Sequence, residues 1–188
     1  MKKILVVEDS DVVMKVLRHL IQGASLGFDA VYASSLAQAT AVYEASPDDF
    51  FAALVDLNLP DAPQGEVVDF TLSHKIPTIV LTGSYDEERR EKLFAKGIVD
   101  YVTKEGRYAY SKAISMIKRL EKNQSIHVLV VDDSDMSRKH MAHLFRRHLF
   151  QVHEAHDGVD AIKVLLDNPA ITLLITDNKK TKMDGFEL

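Results

Sequence analysis

The amino-acid sequence predicts an α/β protein with a doubly wound, five-stranded parallel sheet, followed by a partial second copy of the same unit. Short apolar runs alternate with amphipathic segments of helical period over the first 122 residues. Strands that alternate with helices form parallel sheets through right-handed crossovers. Runs such as ILVV, AALV and TIVL are apolar throughout, which is typical of strands that helices cover on both faces.

Five strand–helix units are predicted in residues 1–122. The predicted strands are residues 4–7, 30–33, 51–55, 78–81 and 99–102, and the predicted helices are residues 11–21, 36–45, 66–73, 87–96 and 108–121. Either Ser34 or Ser35 is expected to cap the second helix, because serine favours that position. Gly97 is expected to end the fourth helix as a glycine C-cap.

A second cycle begins near residue 126, where VLVVDDSD repeats the ILVVEDSD of residues 4–11. Its predicted strands are residues 128–131, 152–155 and 171–176, and its predicted helices are residues 136–150 and 161–166, with a third beginning in MDGFEL. The predicted domains are therefore residues 1–122, complete, and residues 126–188, the N-terminal half only. We expect a fragment of a longer chain; completion of the half-domain by another copy is the alternative.

The composition excludes several classes of protein. The chain has no cysteine, which rules out disulfides, thiolate nucleophiles and zinc sites that use cysteine. The net charge is −5 and neither half is basic, so no nucleic-acid surface is expected. No apolar stretch approaches the roughly 20 residues that span a bilayer, so no membrane partner is expected either. These features favour a cytoplasmic protein.

Polar residues follow four of the predicted strands. Glu8 and Asp9 follow the first strand, Asp56 the third, Thr82 the fourth and Lys104 the fifth. An aspartate after a strand is usually the cap of the next helix, and each residue alone is weak evidence. With a 2-1-3-4-5 strand order, however, all five converge on the crevice beyond the carboxyl ends of the strands, where such sheets bind ligands.

This combination of side chains has a chemical logic. Three carboxylates in one pocket repel each other unless a cation neutralises them, and oxygen ligands favour magnesium. Asp56 is then placed to act as a nucleophile on phosphorus. Lys104 and the metal would offset the charge of the phosphoryl group, and Thr82 would donate a hydrogen bond to it.

The set formed by Glu8, Asp9, Asp56, Thr82 and Lys104 resembles the active site of bacterial two-component receiver domains, and the resemblance spans residues 1–122. It implies the fold of these domains, a flavodoxin-like sheet. It also implies that the phosphoacceptor aspartate takes its phosphoryl group from a histidine kinase or a phosphotransfer protein.

Further roles follow from the same resemblance. It implies that Mg²⁺ is held by the three acids and by the backbone carbonyl of Asn58, that Tyr101 is the switch aromatic, and that Gly83 fills the small-residue position beside the pocket. Two departures stand out: Glu105 replaces the proline that many receivers have after the lysine, and the DLNLPDAPQG loop is longer by one residue. The fourth and fifth helices are expected to offer a homodimer surface.

The second copy resembles the first half of a receiver. It carries Asp132, Asp133 and Asp177, with Lys179 in the place of Asn58 and the pair Lys180-Thr181 in the place of the usual Met-Pro. No threonine or lysine partner follows, so we expect little phosphorylation of Asp177. An unpaired apolar edge is expected on the third strand of this copy.

The order of the two copies is similar to that of regulators with two receivers before a GGDEF diguanylate cyclase. No GGDEF sequence occurs here, so such an output is expected only beyond Leu188, and the chain is expected to catalyse nothing beyond its own phosphotransfer and dephosphorylation.

Three alternatives to a phosphorylated receiver are a haloacid-dehalogenase-like phosphatase, a flavin-binding module and a receiver-like interaction module that is not phosphorylated. The phosphatase needs an acid where Asn58 stands, and the flavin module needs a phosphate-cradling loop where the acidic EDSD stands. His140 and His143 share a helix face, but we expect a polar face rather than a metal site.

Overall fold

The computed structural model describes residues 2–24, 27–106 and 108–177. The chain divides into two compact units, Met1–Lys118 and Arg119–Leu188, here called the first unit and the second unit. None of the helices in the described part is long and apolar enough to cross a membrane.

The first unit is built on a five-stranded parallel sheet of order β2-β1-β3-β4-β5, which confirms the predicted fold. Its strands are β1 (Lys3–Val7), β2 (Asp29–Ala33), β3 (Phe50–Asp56), β4 (Thr78–Thr82) and β5 (Asp100–Thr103). Its helices are α1 (Asp11–Gly23), α2 (Leu36–Ala45), α3 (Glu66–Ser73), α4 (Glu87–Lys96) and α5 (Ala109–Asn123), the last of which ends in the second unit, and a single 3₁₀ turn covers Pro47–Asp49.

The central strands of the first unit form its core. Residues 4–7 of β1 are wholly buried, and every residue of β4 is buried. Apolar side chains of β1, β3 and β4 pack in one cluster with residues of α2, α3 and α4. Burial on both faces explains why these strands are apolar without alternation. Thr78, the first residue of β4, is buried as well, and its hydroxyl donates to Thr71 Oγ1 at 2.7 Å.

Side-chain and glycine caps set the helix ends where the sequence predicted them. Ser35, rather than Ser34, is the N-cap of α2, and its hydroxyl accepts a hydrogen bond from the Gln38 N–H at 3.1 Å. Gly97 ends α4 with φ +109°, a conformation that favours glycine, and its N–H donates to the Leu93 carbonyl at 3.2 Å.

The second unit contains a three-stranded parallel sheet of order β7-β6-β8, the 2-1-3 part of the first unit's order. Its strands are β6 (His127–Val131), β7 (Gln151–Ala155) and β8 (Ile171–Thr176), and its helices are α6 (Asp135–Arg147) and α7 (Gly158–Asp167). Helix α6 ends three residues before its predicted end because Leu149, at φ +65°, turns the chain into β7. The helix predicted from MDGFEL, and Lys179, Lys180 and Thr181, lie outside the described residues.

Burial differs between the corresponding strands β3 and β8. In β3 five of the seven residues are buried, whereas no residue of β8 is buried and Leu173 is 38% exposed. Strand β3 pairs with β1 and β4, while β8 pairs, among the described residues, with β6 alone. The apolar edge predicted for the third strand of the second copy is therefore present in the described part of this unit.

The loop between β3 and α3 supports a helix that is distant in sequence. Asp61 in this loop accepts hydrogen bonds from the backbone N–H groups of Leu36 and Ala37, both at 3.0 Å. These are donors of the first turn of α2 that have no partner within the helix. The same two hydrogen bonds lower the pKa of the Asp61 carboxyl below its ordinary value.

We predict that Asp61→Asn lowers the melting temperature of the chain, because it removes a negative charge and one acceptor from the N-terminus of α2. A group with a lowered pKa stabilises the folded state above its ordinary pKa of 3.8, and that contribution is lost as pH falls through the folded-state value. The difference from wild type should therefore shrink in acid. Glu44→Gln, which removes an exposed charge from the same helix, is the control; thermal denaturation followed by circular dichroism checks both, and equal effects would contradict the prediction.

Two histidines meet across β6 and β7. The Nδ1 of His127 lies 3.1 Å from the Nε2 of His153, and the rings are nearly parallel, with centroids 5.4 Å apart. One ring nitrogen must donate and the other accept, so the contact requires at least one neutral ring. Burial, and then the charge of His127, lower the pKa of His153 below 6.5.

We predict that acidification below pH 6.5 destabilises the second unit through this pair. The unfolded chain takes up a proton on His153 at the ordinary pKa, whereas the folded chain resists it, so the free energy of unfolding falls as pH drops from 6.5 through the folded-state pKa. His153→Gln should flatten this part of the stability profile, measured by urea denaturation at a series of pH values. His140→Gln, at an exposed position on α6, should leave the profile as in wild type. If all three proteins show parallel stability profiles, the His127–His153 contact does not cause the loss of stability in acid.

Candidate functional site

The site lies at the carboxyl edge of the first unit's sheet, where backbone hydrogen bonds fix the strand ends beside one another. The Glu8 N–H donates to the Ala33 carbonyl at 3.0 Å, just past β1 and at the end of β2. The Leu57 N–H donates to the Leu81 carbonyl at 2.9 Å. The Lys104 N–H donates to the carbonyl of Thr82 at 2.7 Å. The residues that follow β1, β3 and β5 therefore begin at one edge of the sheet.

Lys104 joins two acids from different strand ends. Its Nζ lies 2.7 Å from Glu8 Oε2 and 2.7 Å from Asp56 Oδ2. The side chain of Glu8 is wholly buried and that of Asp56 is 7% exposed. Two buried carboxylates would repel each other strongly in a medium of low dielectric constant, and the ammonium group offsets that repulsion. The structure thus brings together three of the residues that the sequence predicted.

The pKa values of these groups reflect burial and mutual charge. Burial raises the pKa of Glu8, and repulsion from Asp56 adds to this, although Lys104 acts in the opposite direction. Burial acts to lower the pKa of Lys104, but the hydrogen bonds and charges of the two acids outweigh it and raise the pKa. Burial also raises the pKa of Tyr110, at the start of α5, and this phenol feels the charges of Lys104 and Glu8. Tyr110 was not predicted as a neighbour of the site, because no motif in the sequence distinguishes it.

The three acids form a candidate cation site. Oxygens of Glu8, Asp9 and Asp56 all lie within 4.8 Å of one another, and no other cluster of three such ligands occurs among the described residues. The carboxylates outnumber the single ammonium group of Lys104 by two charges. Although Glu8 Oε2 is ion-paired with Lys104, it accepts no well-aligned hydrogen bond from the described residues. A hard divalent ion with oxygen preference, such as Mg²⁺, fits this donor set and its excess charge.

The loop after β3 folds back onto the acid that precedes it. The Asn58 N–H donates to Asp56 Oδ1 at 3.2 Å, so one carboxylate oxygen contacts the loop while the other contacts Lys104. Asn58 is exposed, and its side-chain oxygen accepts a hydrogen bond from Arg89 NH1 of α4 at 3.1 Å. The contact with Arg89 was not predicted, because nothing in the charged pattern of α4 distinguishes this arginine from its neighbours.

Thr82 and Tyr101 meet at one carbonyl group. The Thr82 hydroxyl donates to the Ser84 carbonyl at 3.1 Å, and the Tyr101 hydroxyl donates to the same oxygen at 3.3 Å. Both side chains are buried, although Thr82 points its hydroxyl at the loop rather than at Asp56. Nothing lies within 4 Å of where a Cβ of Gly83 would be. The structure therefore links the predicted hydroxyl and the predicted switch aromatic through the loop after β4.

The second unit reproduces part of this arrangement. The Asp132 N–H donates to the Ala155 carbonyl at 3.2 Å, as its counterpart does in the first unit, and the Ser134 N–H donates to Asp132 Oδ1 at 2.9 Å. Asp133 and Asp177 are exposed, and the three acids of this unit do not form a close ligand cluster. The aspartates predicted for the second copy are thus at strand ends without the close acid cluster seen in the first unit.

Comparisons with known proteins agree with this fold. The sequence matches the response regulator receiver domain family over residues 4–113. A solved structure described as a two-component system response regulator/GGDEF domain protein is 37% identical, with a TM-score of 0.91, and the match covers 100% of this chain and 75% of that chain. The Mn²⁺-bound form of the response regulator Rcp1 is 26% identical, with a TM-score of 0.53, over 65% of this chain and 93% of that chain.

A curated relative matches over a shorter stretch. The sensor histidine kinase RcsC of Salmonella typhimurium is 37% identical over 71 residues, which is 38% of this chain and 7% of that protein. The chain thus spans only a small part of the length of that relative. The family match over residues 4–113, in contrast, spans more than half of the chain and includes every residue of the candidate site. The chain therefore belongs to the response regulator receiver domain family of two-component systems.

Proposed function

We propose that the first unit is the phosphoacceptor module of a two-component system and that Asp56 carries the phosphoryl group. The observation that supports this most is the contact of Lys104 with both Glu8 and Asp56, beside the third acid of the cluster. A buried aspartate that keeps one oxygen beside a lysine and sits at a cation site has what acyl phosphate formation requires. The phosphodonor in this proposal is a histidine kinase or a phosphotransfer protein.

In the proposed reaction an oxygen of the Asp56 carboxylate attacks the phosphorus atom of the donor. The bond from phosphorus to the donor's leaving atom breaks, and that atom leaves with the bonding electron pair. Lys104 stays beside the transferred group and offsets its charge, and the Thr82 hydroxyl turns from the Ser84 carbonyl to donate to a phosphoryl oxygen. Bound Mg²⁺, held by Glu8, Asp9, Asp56 and the Asn58 carbonyl, would add positive charge at the phosphoryl oxygens.

The proposed output signal begins at the loop after β4. When Thr82 turns toward the phosphoryl group, the Ser84 carbonyl loses one of its two hydroxyl donors, and Tyr101 is left as the remaining one. A shift of this loop would then reach the start of α4. We propose a diguanylate cyclase as the output, since the response regulator/GGDEF neighbour is similar over the whole of this chain.

Other parts of the proposal rest on the sequence and on the family. The domain limits of 1–122 and 126–188, the cytoplasmic location, the homodimer through α4 and α5, and the weak phosphorylation of Asp177 stay predictions. The Mn²⁺-bound relative supports a divalent cation in the acidic pocket. Beyond phosphotransfer and dephosphorylation at its own aspartate, we assign the chain no catalytic activity.

Three alternatives remain distinguishable by their chemistry. A haloacid-dehalogenase-like phosphatase needs an acid two residues after its nucleophile, and here Asn58 gives its amide oxygen to Arg89. A receiver-like module that is not phosphorylated would keep the fold without labelling, and the phosphorylation experiment below separates it from the proposal. A flavin-binding module would be purified with bound flavin and a yellow colour.

We predict that Asp56→Asn abolishes labelling of the chain by acetyl phosphate in the presence of Mg²⁺, because the nucleophilic carboxylate is lost. Asp177→Asn should leave about nine-tenths or more of the wild-type labelling, since the described part of the second unit has neither the lysine contact nor the acid cluster. Phosphate-affinity gel electrophoresis and intact mass measure both variants. Strong residual labelling of Asp56→Asn would sink the assignment of the phosphoacceptor.

We predict that Glu8→Gln weakens Mg²⁺ binding by about tenfold or more, because it removes one of the charged oxygen ligands. The substitution keeps the size of the side chain and leaves Asp9 and Asp56 in place. Isothermal titration calorimetry with Mg²⁺ measures the change, and Glu44→Gln serves as a charge-matched control far from the pocket. Equal affinities for the Glu8 and Glu44 variants would place the ion elsewhere.

A further inference from the structure

Arg89 differs from every other cation of α4 in what it contacts. The other three each pair with a carboxylate: Arg90 with Glu87 at 2.9 Å, Lys92 with Glu88 at 2.5 Å and Lys96 with Asp69 at 2.6 Å. Arg89 forms no ion pair with any described residue, and its guanidinium donates to the neutral amide oxygen of Asn58 at 3.1 Å. Among the described residues, helix α4 therefore holds one guanidinium whose charge no carboxylate neutralises.

This guanidinium lies over the loop that follows the proposed phosphoacceptor. Its anchor, Asn58, is two residues after Asp56 and donates its own N–H to Asp56 Oδ1 at 3.2 Å. Arg89 NH2 also lies 3.8 Å from where a Cβ of Gly65 would be, at the other end of the same loop. Arg89 is half-buried there, beside both ends of the loop.

The net charge of the Asp56 pocket makes the position of Arg89 relevant to the binding of an anionic phosphodonor. Three carboxylates and the Lys104 ammonium group leave two net negative charges, which a bound divalent ion would balance. A phosphodonor is an anion, and it must approach a pocket that is then close to neutral. Arginine stays protonated at all physiological pH values, and its planar fork of N–H groups matches the oxygens of a phosphoryl group. Only one of its five N–H groups is engaged by Asn58.

We propose that Arg89 binds the phosphoryl oxygens of the incoming phosphodonor at the entrance of the Asp56 pocket. The inference rests on the proposed function, and it assigns to this chain a donor-binding residue outside the set of acids, hydroxyl and lysine. With acetyl phosphate, an Asp56 oxygen forms the new bond to phosphorus, the bond between phosphorus and the acetyl oxygen breaks, and acetate leaves with the electron pair. Arg89 holds the phosphoryl oxygens during approach and takes no proton.

The test compares two neighbouring arginines that differ only in their contacts. Arg89→Ala and Arg90→Ala each remove one positive charge from α4, but only the first removes it from the loop beside Asp56. The initial rate of phosphorylation is measured over a range of acetyl phosphate concentrations at saturating Mg²⁺. Arg89→Ala should raise the half-saturating concentration by about three- to tenfold, the range for an exposed charge-assisted hydrogen bond, with the maximal rate within about twofold of wild type.

Further measurements separate donor binding from a structural role. Arg89→Lys, which keeps the charge, should recover part of the loss, and the gap between wild type and Arg89→Ala should narrow as NaCl rises. Mg²⁺ affinity and melting temperature should be unchanged in Arg89→Ala. If that variant does not fold, Arg89→Gln, which can still donate to Asn58, takes its place with the same expectation.

Each outcome decides the proposal. Identical acetyl phosphate profiles for the Arg89 and Arg90 variants, or a loss in maximal rate alone, would overturn donor binding by Arg89 while leaving phosphorylation at Asp56 intact. A wild-type chain without labelling at Asp56 would overturn the proposed function and this inference together. The two failures are distinguishable because the first is seen only in a chain that is phosphorylated.

Discussion

The ion-paired contact of Lys104 with Glu8 and Asp56 is the interaction on which the site depends. The two acids stand at the ends of different strands and are nearly or wholly buried, so the pair would be costly without a cation between them. The lysine reaches both because β1, β3 and β5 end on the same edge of the sheet, although two strands, β3 and β4, separate β5 from β1. A parallel sheet is the arrangement that supplies this meeting point, since all its strands end on one side. The fold is thus a precondition for the charge balance of the pocket.

The loop after β3, which begins at the site, forms hydrogen bonds with two helices, α2 and α4. Asp61 accepts two hydrogen bonds from the first turn of α2, and Asn58 contacts α4 through Arg89. Leu59 and Ala62 close the loop with a backbone bridge, and Gly65, at φ +88°, gives it the left-handed turn into α3. This loop therefore contacts neighbouring elements at several points, and these contacts support the acid that precedes it.

The two units show how much a motif depends on what surrounds it. Both place an acidic pair after their first strand, and in both the first acid is fixed by the same backbone bond to the second strand. In the first unit Lys104, which follows β5, forms ion pairs with Glu8 and Asp56. In the second unit Arg138 donates to the backbone carbonyl of Asp132 and pairs with Asp135 and Glu154, so a cation is present but contacts different groups. The acidic pairs of the two units are therefore similar in sequence, but the cations around them contact different groups.

The sequence by itself determined the order and type of the elements in the described part and the residues at the strand ends. Apolar runs, serine caps and the glycine after α4 act locally, so their effects can be predicted from neighbouring residues; the error at the end of α6 arose because the left-handed turn at Leu149 has no local signal. The cap from Asp61 to α2, the contact of Asn58 with Arg89 and the orientation of Thr82 toward Ser84 were decided by the tertiary structure. Each joins groups whose separation depends on how whole elements pack, and no periodicity or local preference encodes that distance.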